Sequence, residues 1–199
     1  MLPIASLLLV KPYSLVNLSS SSASLLSYGA SKAASEHYLR SFKENHGIEA
    51  ISLRLFNVYG PRQTPGQYAG VISIFGKRAL NHQPLQIFGD GSQTRDFIYV
   101  SDAVDATIAA LDKNLRNRVF NIASGAETTI LELAKIMQRI TQTQSELKFY
   151  PPRGGDITRS VADVSRARNE LGFTARTPMD DGLSQTIQWF ERASPRRHR

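Results

Sequence analysis

Short apolar runs alternate along the chain with longer stretches in which apolar residues recur every three or four positions. Leu7 to Val10 and Ser14 to Leu18 have the pattern of strands, and Ser19 to Ser24 the composition of a loop. Ser27 stands as an N-cap before Ala30 to His46, a run rich in helix formers and closed by Gly47, so a helix is predicted there. Glu49 to Phe56 is almost continuously apolar and fits a strand buried on both faces. It empties into Asn57-Val-Tyr-Gly-Pro-Arg62, a loop of the kind in which open α/β sheets hold ligands. Val71 to Leu80 reads as a helix stopped by Asn81 and Pro84. Leu85 to Phe88 and Arg95 to Val100 read as short strands joined through the turn Gly89-Asp90-Gly91-Ser92. Ser101 and Asp102 cap a helix to about Leu111, and Val119 to Ala123 is a further buried strand. Thr129-Ile-Leu-Glu132 is a capping box opening an amphipathic helix to Ile140, and Leu147 to Tyr150 is a strand before Pro151-Pro152. Asp163 caps a helix that Gly172 ends, and Thr177-Pro178 starts the last one, which carries Ile187, Trp189 and Phe190. Strands alternating with helices predict the α/β class, without an internal repeat.

Composition narrows the picture by exclusion. The 199 residues suffice for one domain or a little more, with a sizeable core. Without cysteine there are no disulfides, thiolate metal sites or cysteine nucleophiles, and the four histidines lack metal-ligand spacing, so no metal is expected. The net charge of +7 owes much to Arg192, Arg196, Arg197 and Arg199, which read as a solvated basic tail. Elsewhere bases and acids interleave, and no nucleic-acid partner is expected. The apolar stretch Leu2 to Val10 lacks a basic flank and a cleavage site and is too short to span a bilayer. A soluble, cytoplasmic protein with no membrane partner is the expectation.

In the first turns of the helix that Ser27 caps, Tyr28 and Lys32 share one face. An ammonium held there favours the phenolate, whose acid has an unperturbed pKa of about 10, and makes the tyrosine a usable base near neutrality. That is chemistry of a redox site, although the same spacing arises by chance on many helices. No glycine-rich strand–turn–helix suited to a dinucleotide pyrophosphate occurs in the sequence; Gly154-Gly155 follows prolines and precedes no helix.

Several phrases in fixed order say more than any one. They are Tyr28-Gly-Ala-Ser-Lys32, Leu53-Arg-Leu-Phe-Asn-Val-Tyr-Gly-Pro-Arg62, Phe88-Gly-Asp-Gly-Ser-Gln-Thr-Arg-Asp-Phe-Ile-Tyr-Val-Ser-Asp102, Phe120-Asn-Ile-Ala-Ser-Gly125 and Arg153-Gly-Gly-Asp156. Together they resemble the extended short-chain dehydrogenase/reductase family. The nearest type is the NAD-dependent sugar-nucleotide epimerases acting on UDP-glucose or UDP-N-acetylglucosamine at C4, and the resemblance runs from about Ser27 to Phe190.

The resemblance implies roles. Tyr28 corresponds to the base that takes the proton of the sugar 4-hydroxyl, and Lys32 to the lysine that lowers its pKa and bonds the nicotinamide ribose of NAD. Asn57, Arg95 and Arg153 fall where the family holds the diphosphate of a UDP-sugar; an amide and two guanidiniums suit that task. A surface ion pair, of Arg95 with Asp96 or Arg153 with Asp156, is the plainer alternative. Asp156 corresponds to the uridine-ribose contact, and the backbone at Gln86 and Phe88 to the uracil contact. Phe56 and Val58 would line the cofactor or serve as packing. Ser160 falls where relatives that exclude N-acetylated sugars carry a bulky aromatic, which implies room for the acetamido group. Ser22 is the counterpart considered for the catalytic serine, though it lies closer to Tyr28 than the family spacing.

The expected fold is therefore an incomplete Rossmann-type parallel sheet, its N-terminal dinucleotide-binding units absent, with a small α/β substrate-binding domain. Residues 1–60 would be the Rossmann remnant, 61–100 and 124–192 the sugar-nucleotide region, 101–123 a return to the sheet and 193–199 the tail. A sheet so begun would show an unpaired edge, and the chain would be marginal or prone to associate. Full-length relatives imply a homodimer through the Tyr28 helix, where Ala33, Ala34, Leu39 and Phe42 serve either that contact or the core. The expected activity is a UDP-sugar 4-epimerase isomerase, with independent catalysis in question for want of the glycine-rich half. The alternatives are a dehydratase or decarboxylase of the same family, a non-catalytic UDP-sugar-binding fragment, and a basic-tailed interaction module.

Overall fold

A computed structural model describes residues 7–9, 14–20, 27–63, 70–112, 115 and 118–193. The expectations for Ser22 and for the tail from Ser194 to Arg199 lie outside the described residues. In chain order the first elements are β1 (Leu7–Leu9), β2 (Ser14–Ser20), α1 (Ser27–His46), β3 (Glu49–Leu55), β4 (Asn57–Tyr59), α2 (Val71–Leu80) and β5 (Leu85–Phe88). Then follow β6 (Thr94–Arg95), β7 (Phe97–Tyr99), α3 (Val100–Asp112), β8 (Arg118–Ile122), β9 (Thr128–Thr129), α4 (Ile130–Thr141) and β10 (Leu147–Tyr150). A short π-helix (Ala167–Leu171) and α5 (Met179–Ala193) complete the series.

The chain forms two compact units. The first comprises Met1–Phe56, Ser101–Gly125 and Ala162–Ala175. Its sheet has the order β1-β2-β3-β8, and β2, β3 and β8 run parallel, with Val16 opposite Ile51 and Leu53 opposite Phe120. Leu53, Phe120 and Ile122 are fully buried, as the apolar runs require of strands covered on both faces. Helix α1 packs on β2 and β3, and the π-helix on β8. This is a Rossmann-like α/β sheet.

The second unit comprises Asn57–Val100, Ala126–Val161 and Arg176–Arg199. Helices α2, α4 and α5 pack on one another around a core that includes Phe75, Leu133, Met137, Leu183 and Ile187. Three two-stranded pairs surround it: β10 parallel to β5, β4 parallel to β7, and β6 antiparallel to β9. The N-cap bond of the predicted capping box forms, with Thr129 Oγ1 accepting the Glu132 N–H at 3.0 Å.

Three local expectations are corrected. Ser19 and Ser20 belong to β2, because pairing with Arg54 and Leu55 supplies the ladder that their own propensity does not. Asn57 to Tyr59 is a strand where a loop was expected, since its partners Phe97 to Tyr99 lie 40 positions on and are invisible to a local pattern. The stretch Arg95 to Val100 is not one strand: the Asp96 carbonyl turns to accept from Asn57, splitting β6 from β7, and Val100 already begins α3. β1 folds back antiparallel on β2, with Leu8 opposite Val16, so the edge of the sheet falls on β1.

Candidate functional site

In the first unit the site residues are carried by α1. Tyr28 lies in its first turn and Lys32 one turn later, in the helix that follows the carboxyl end of β2. Lys32 is only 7% exposed, which is unusual for a lysine and requires that its ammonium be partnered. One further turn along, Glu36 grips Arg54 of β3 in a two-pronged pair, Nε to Oε1 and Nη2 to Oε2, both 2.8 Å. The hydrogen bonds to Glu36 hold the Arg54 guanidinium above its ordinary value, against the opposing pull of burial. Leu39 completes this stripe as a core residue, while Tyr38 and Phe42 are exposed. The rotation of α1 is thus set by a salt bridge and a leucine on the side of Lys32. Phe56, at the end of β3, is half-buried and donates its N–H to the Ile122 carbonyl at 3.1 Å.

The second unit gathers most of the other expected residues. The turn after β5 is built by Asp90, whose Oδ1 accepts the Ser92 N–H at 2.9 Å and its hydroxyl at 2.6 Å. These bonds, that of the hydroxyl first, hold the Asp90 carboxyl below the usual carboxylate range. Gly91 adopts φ +82°, and a Cβ there would meet Leu131 Cβ at 2.9 Å, so the tight turn needs glycine. Gln93 Nε2 then donates back to the Phe88 carbonyl at 2.7 Å. The turn thereby fixes Phe88 and Arg95 with respect to each other.

Around them stands a cationic, aromatic cluster. Arg95 donates through Nη1 to the carbonyls of Thr94 (2.8 Å) and Ile157 (2.6 Å), and through Nη2 to the Asp156 carboxylate. The guanidinium carbon of Arg153 sits 3.7 Å above the centroid of the Phe88 ring, whose neighbour Tyr150 lies 5.6 Å away, centroid to centroid. Gln86 Nε2 reaches the Tyr150 hydroxyl at 3.4 Å, and Ser160, half-buried, directs its N–H to Thr94 Oγ1 at the same separation. Asn57 lies in β4, its Nδ2 bonded to the Asp96 carbonyl at 2.8 Å, and Val58 pairs with Ile98.

The ion pairs considered from sequence are crossed: Arg95 takes Asp156, 61 positions away, and Arg153 takes a ring. Sequence reasoning missed Tyr150, Thr94, Glu127 and Arg159, and the Glu36–Arg54 pair. A signal for the last did exist, since an arginine inside an apolar strand demands an acid and Glu36 follows Lys32 at helical spacing. Among the described residues no group of three or more histidines and acids suits a metal, and no helix is long and apolar enough to cross a membrane.

A parallel α/β sheet with Tyr28 and Lys32 opening the helix after β2 defines the class as Rossmann-type. The model of the NAD dependent epimerase/dehydratase family matches residues 13–123, and the chain belongs to that family. It is 37% identical to the UDP-glucose 4-epimerase of Mycolicibacterium smegmatis over 84% of its length and 53% of that protein's. It is 40% identical to a UDP-N-acetyl-alpha-D-glucosaminuronate decarboxylase of Bacillus cytotoxicus, over 72% of the chain and 47% of that protein. Among solved structures, the UDP-glucose 4-epimerase of Thermotoga maritima, with UDP-glucose, superposes with a TM-score of 0.85 at 34% identity, over 90% of this chain and 63% of that one. The chain thus spans about half the length of the curated relatives it matches.

Proposed function

We propose that this chain supplies the catalytic tyrosine and the nucleotide-sugar site of an NAD-dependent UDP-sugar 4-epimerase. The observation that carries the reading is the cluster in which Arg95 and Arg153, with Asp156 and Phe88, stand together in one unit. Two guanidiniums suit a diphosphate, an adjacent carboxylate suits ribose hydroxyls, and the Phe88 and Tyr150 rings suit a base. The names of the relatives support UDP-sugars as the substrate class.

On this reading Tyr28, as phenolate, accepts the proton of the 4-hydroxyl, and the Lys32 ammonium favours that charged form. NAD, when bound, would supply the hydride acceptor and donor for C4. The 4-ketosugar then turns over, and Tyr28 returns the proton to the oxygen on the opposite configuration. Asn57 joins the arginines in holding the diphosphate, the backbone at Gln86 and Phe88 meets the uracil, and Phe56 and Val58 line the cofactor. The buried Lys32 at the start of α1 fits the ribose end of NAD. The pyrophosphate end finds no glycine-rich strand–turn–helix in this sequence, so NAD is held weakly by this chain alone. Exposed Tyr38 and Phe42 on α1 support a homodimer through that helix.

Calorimetric titration with UDP, together with assay of the nicotinamide released on denaturation, tests the reading. UDP binding with little released NAD is expected; no UDP binding overturns it. Near one NAD per chain would mean that the pyrophosphate is gripped by residues not recognised as such. The 40% identity to a decarboxylase favours a second reading within the family. Carbon dioxide release from a UDP-uronate, without epimerisation of UDP-glucose, would select it.

A further inference from the structure

Residues 151–159 are exposed, yet this segment carries Arg153 and Asp156 and leads to Ser160. Its fastening is therefore a question of its own. Arg95 holds the middle through the Ile157 carbonyl and the Asp156 carboxylate. If Arg95 turns to a diphosphate, those two bonds weaken or are lost, and the segment needs other anchors. Thr94 provides two, its N–H donating to the Thr158 carbonyl at 2.9 Å and its Oγ1 accepting from the Ser160 N–H at 3.4 Å. The remaining anchor is ionic: Arg159 Nε donates to Glu127 Oε1 at 2.8 Å, across 32 positions. The Arg159 guanidinium, hydrogen-bonded to it, holds the Glu127 carboxyl below the usual carboxylate range.

We infer that Glu127, Thr94 and Arg159 form a latch that keeps residues 156–160 in their binding geometry when the diphosphate draws Arg95 away. The inference rests on the nucleotide-sugar reading of this unit. The three residues are positioning residues; they act by presenting Asp156 and Ser160 and need not touch the ligand. Arg159 belongs to none of the motifs that carried the family resemblance.

The test uses the full chain with Glu127→Gln, Arg159→Glu and the reciprocal Glu127→Arg/Arg159→Glu swap. UDP affinity is measured by calorimetry, and amide exchange of residues 156–161 is measured with and without UDP. Each single variant is expected to weaken UDP about twofold to fivefold, the scale of an exposed charge pair. Exchange of 156–161 should rise most in the UDP-bound state, and the swap should restore both readouts. Unchanged exchange in the single variants overturns the latch outright. Faster exchange with unchanged UDP affinity reduces it to a surface contact and overturns the positioning role. Absence of UDP binding by the unaltered chain sinks the nucleotide reading and, with it, the role claimed for the latch; exchange without ligand then still reports whether the pair holds the segment.

Discussion

In the second unit the residues of the cluster rest on a dense core in which Phe75, Leu85, Ile87, Leu133 and Leu183 are almost wholly buried. In the first, the residues proposed for the chemistry ride on one helix, which the Glu36–Arg54 pair ties to the sheet. The arginines of the second unit are already engaged by carbonyls, a carboxylate and a ring before any ligand arrives. Helices α1 and α3 of the first leave Tyr38, Phe42, Val104 and Ile108 exposed. The difference teaches that the residues proposed for recognition rest on a preorganised core, while the helix proposed for the chemistry takes its setting from the sheet strands β2 and β3 on which it packs.

That contrast can be broken at several points. Phe75→Ala removes a ring from the second core and should cost about 3–5 kcal/mol in urea unfolding, with exchange protection lost first in α2, α4 and α5. If protection falls equally in β2, β3 and β8, the two units are one cooperative block. Arg95→Ala should lower UDP affinity by about 1.5–3 kcal/mol, roughly tenfold to a hundredfold, and leave the exchange of α1 unchanged. Ser160→Tyr should weaken UDP-N-acetylglucosamine by about 1–3 kcal/mol while sparing UDP-glucose; equal losses for both sugars would refute the acetamido reading. Glu36→Gln should cost about 1 kcal/mol, seen as faster exchange along α1 with UDP affinity intact. A drop in UDP affinity there would show that the second unit depends on α1 after all.

How much of this was legible follows the range of the interactions. The α4 cap rests on Thr129 and Glu132, three positions apart, and β5 and α2 on local punctuation by Pro84, Gly89 and Asn81, so these appear in the sequence with their true bounds. The fold class was legible for the same reason. Strands β4, β6 and β9 have two or three residues and exist only through partners elsewhere, as does the antiparallel return of β1. In the cluster the residue types were legible from motif order, while the pairing of Arg95 with Asp156 and of Arg159 with Glu127 was not. Which carboxylate meets which guanidinium is settled by the path of the chain between them, and no spacing rule encodes it.

That path passes between the units after residues 56, 100, 125, 161 and 175. On a ribosome releasing the chain from its N-terminus, the first unit lacks a segment until residue 175 has emerged, and the second waits for α5 with its core residues Leu183, Ile187 and Phe190. Neither unit is a contiguous stretch that a protease or a genetic crossover could excise whole. The order in which the strands leave the tunnel therefore leaves the nascent polypeptide with two unfinished cores at once.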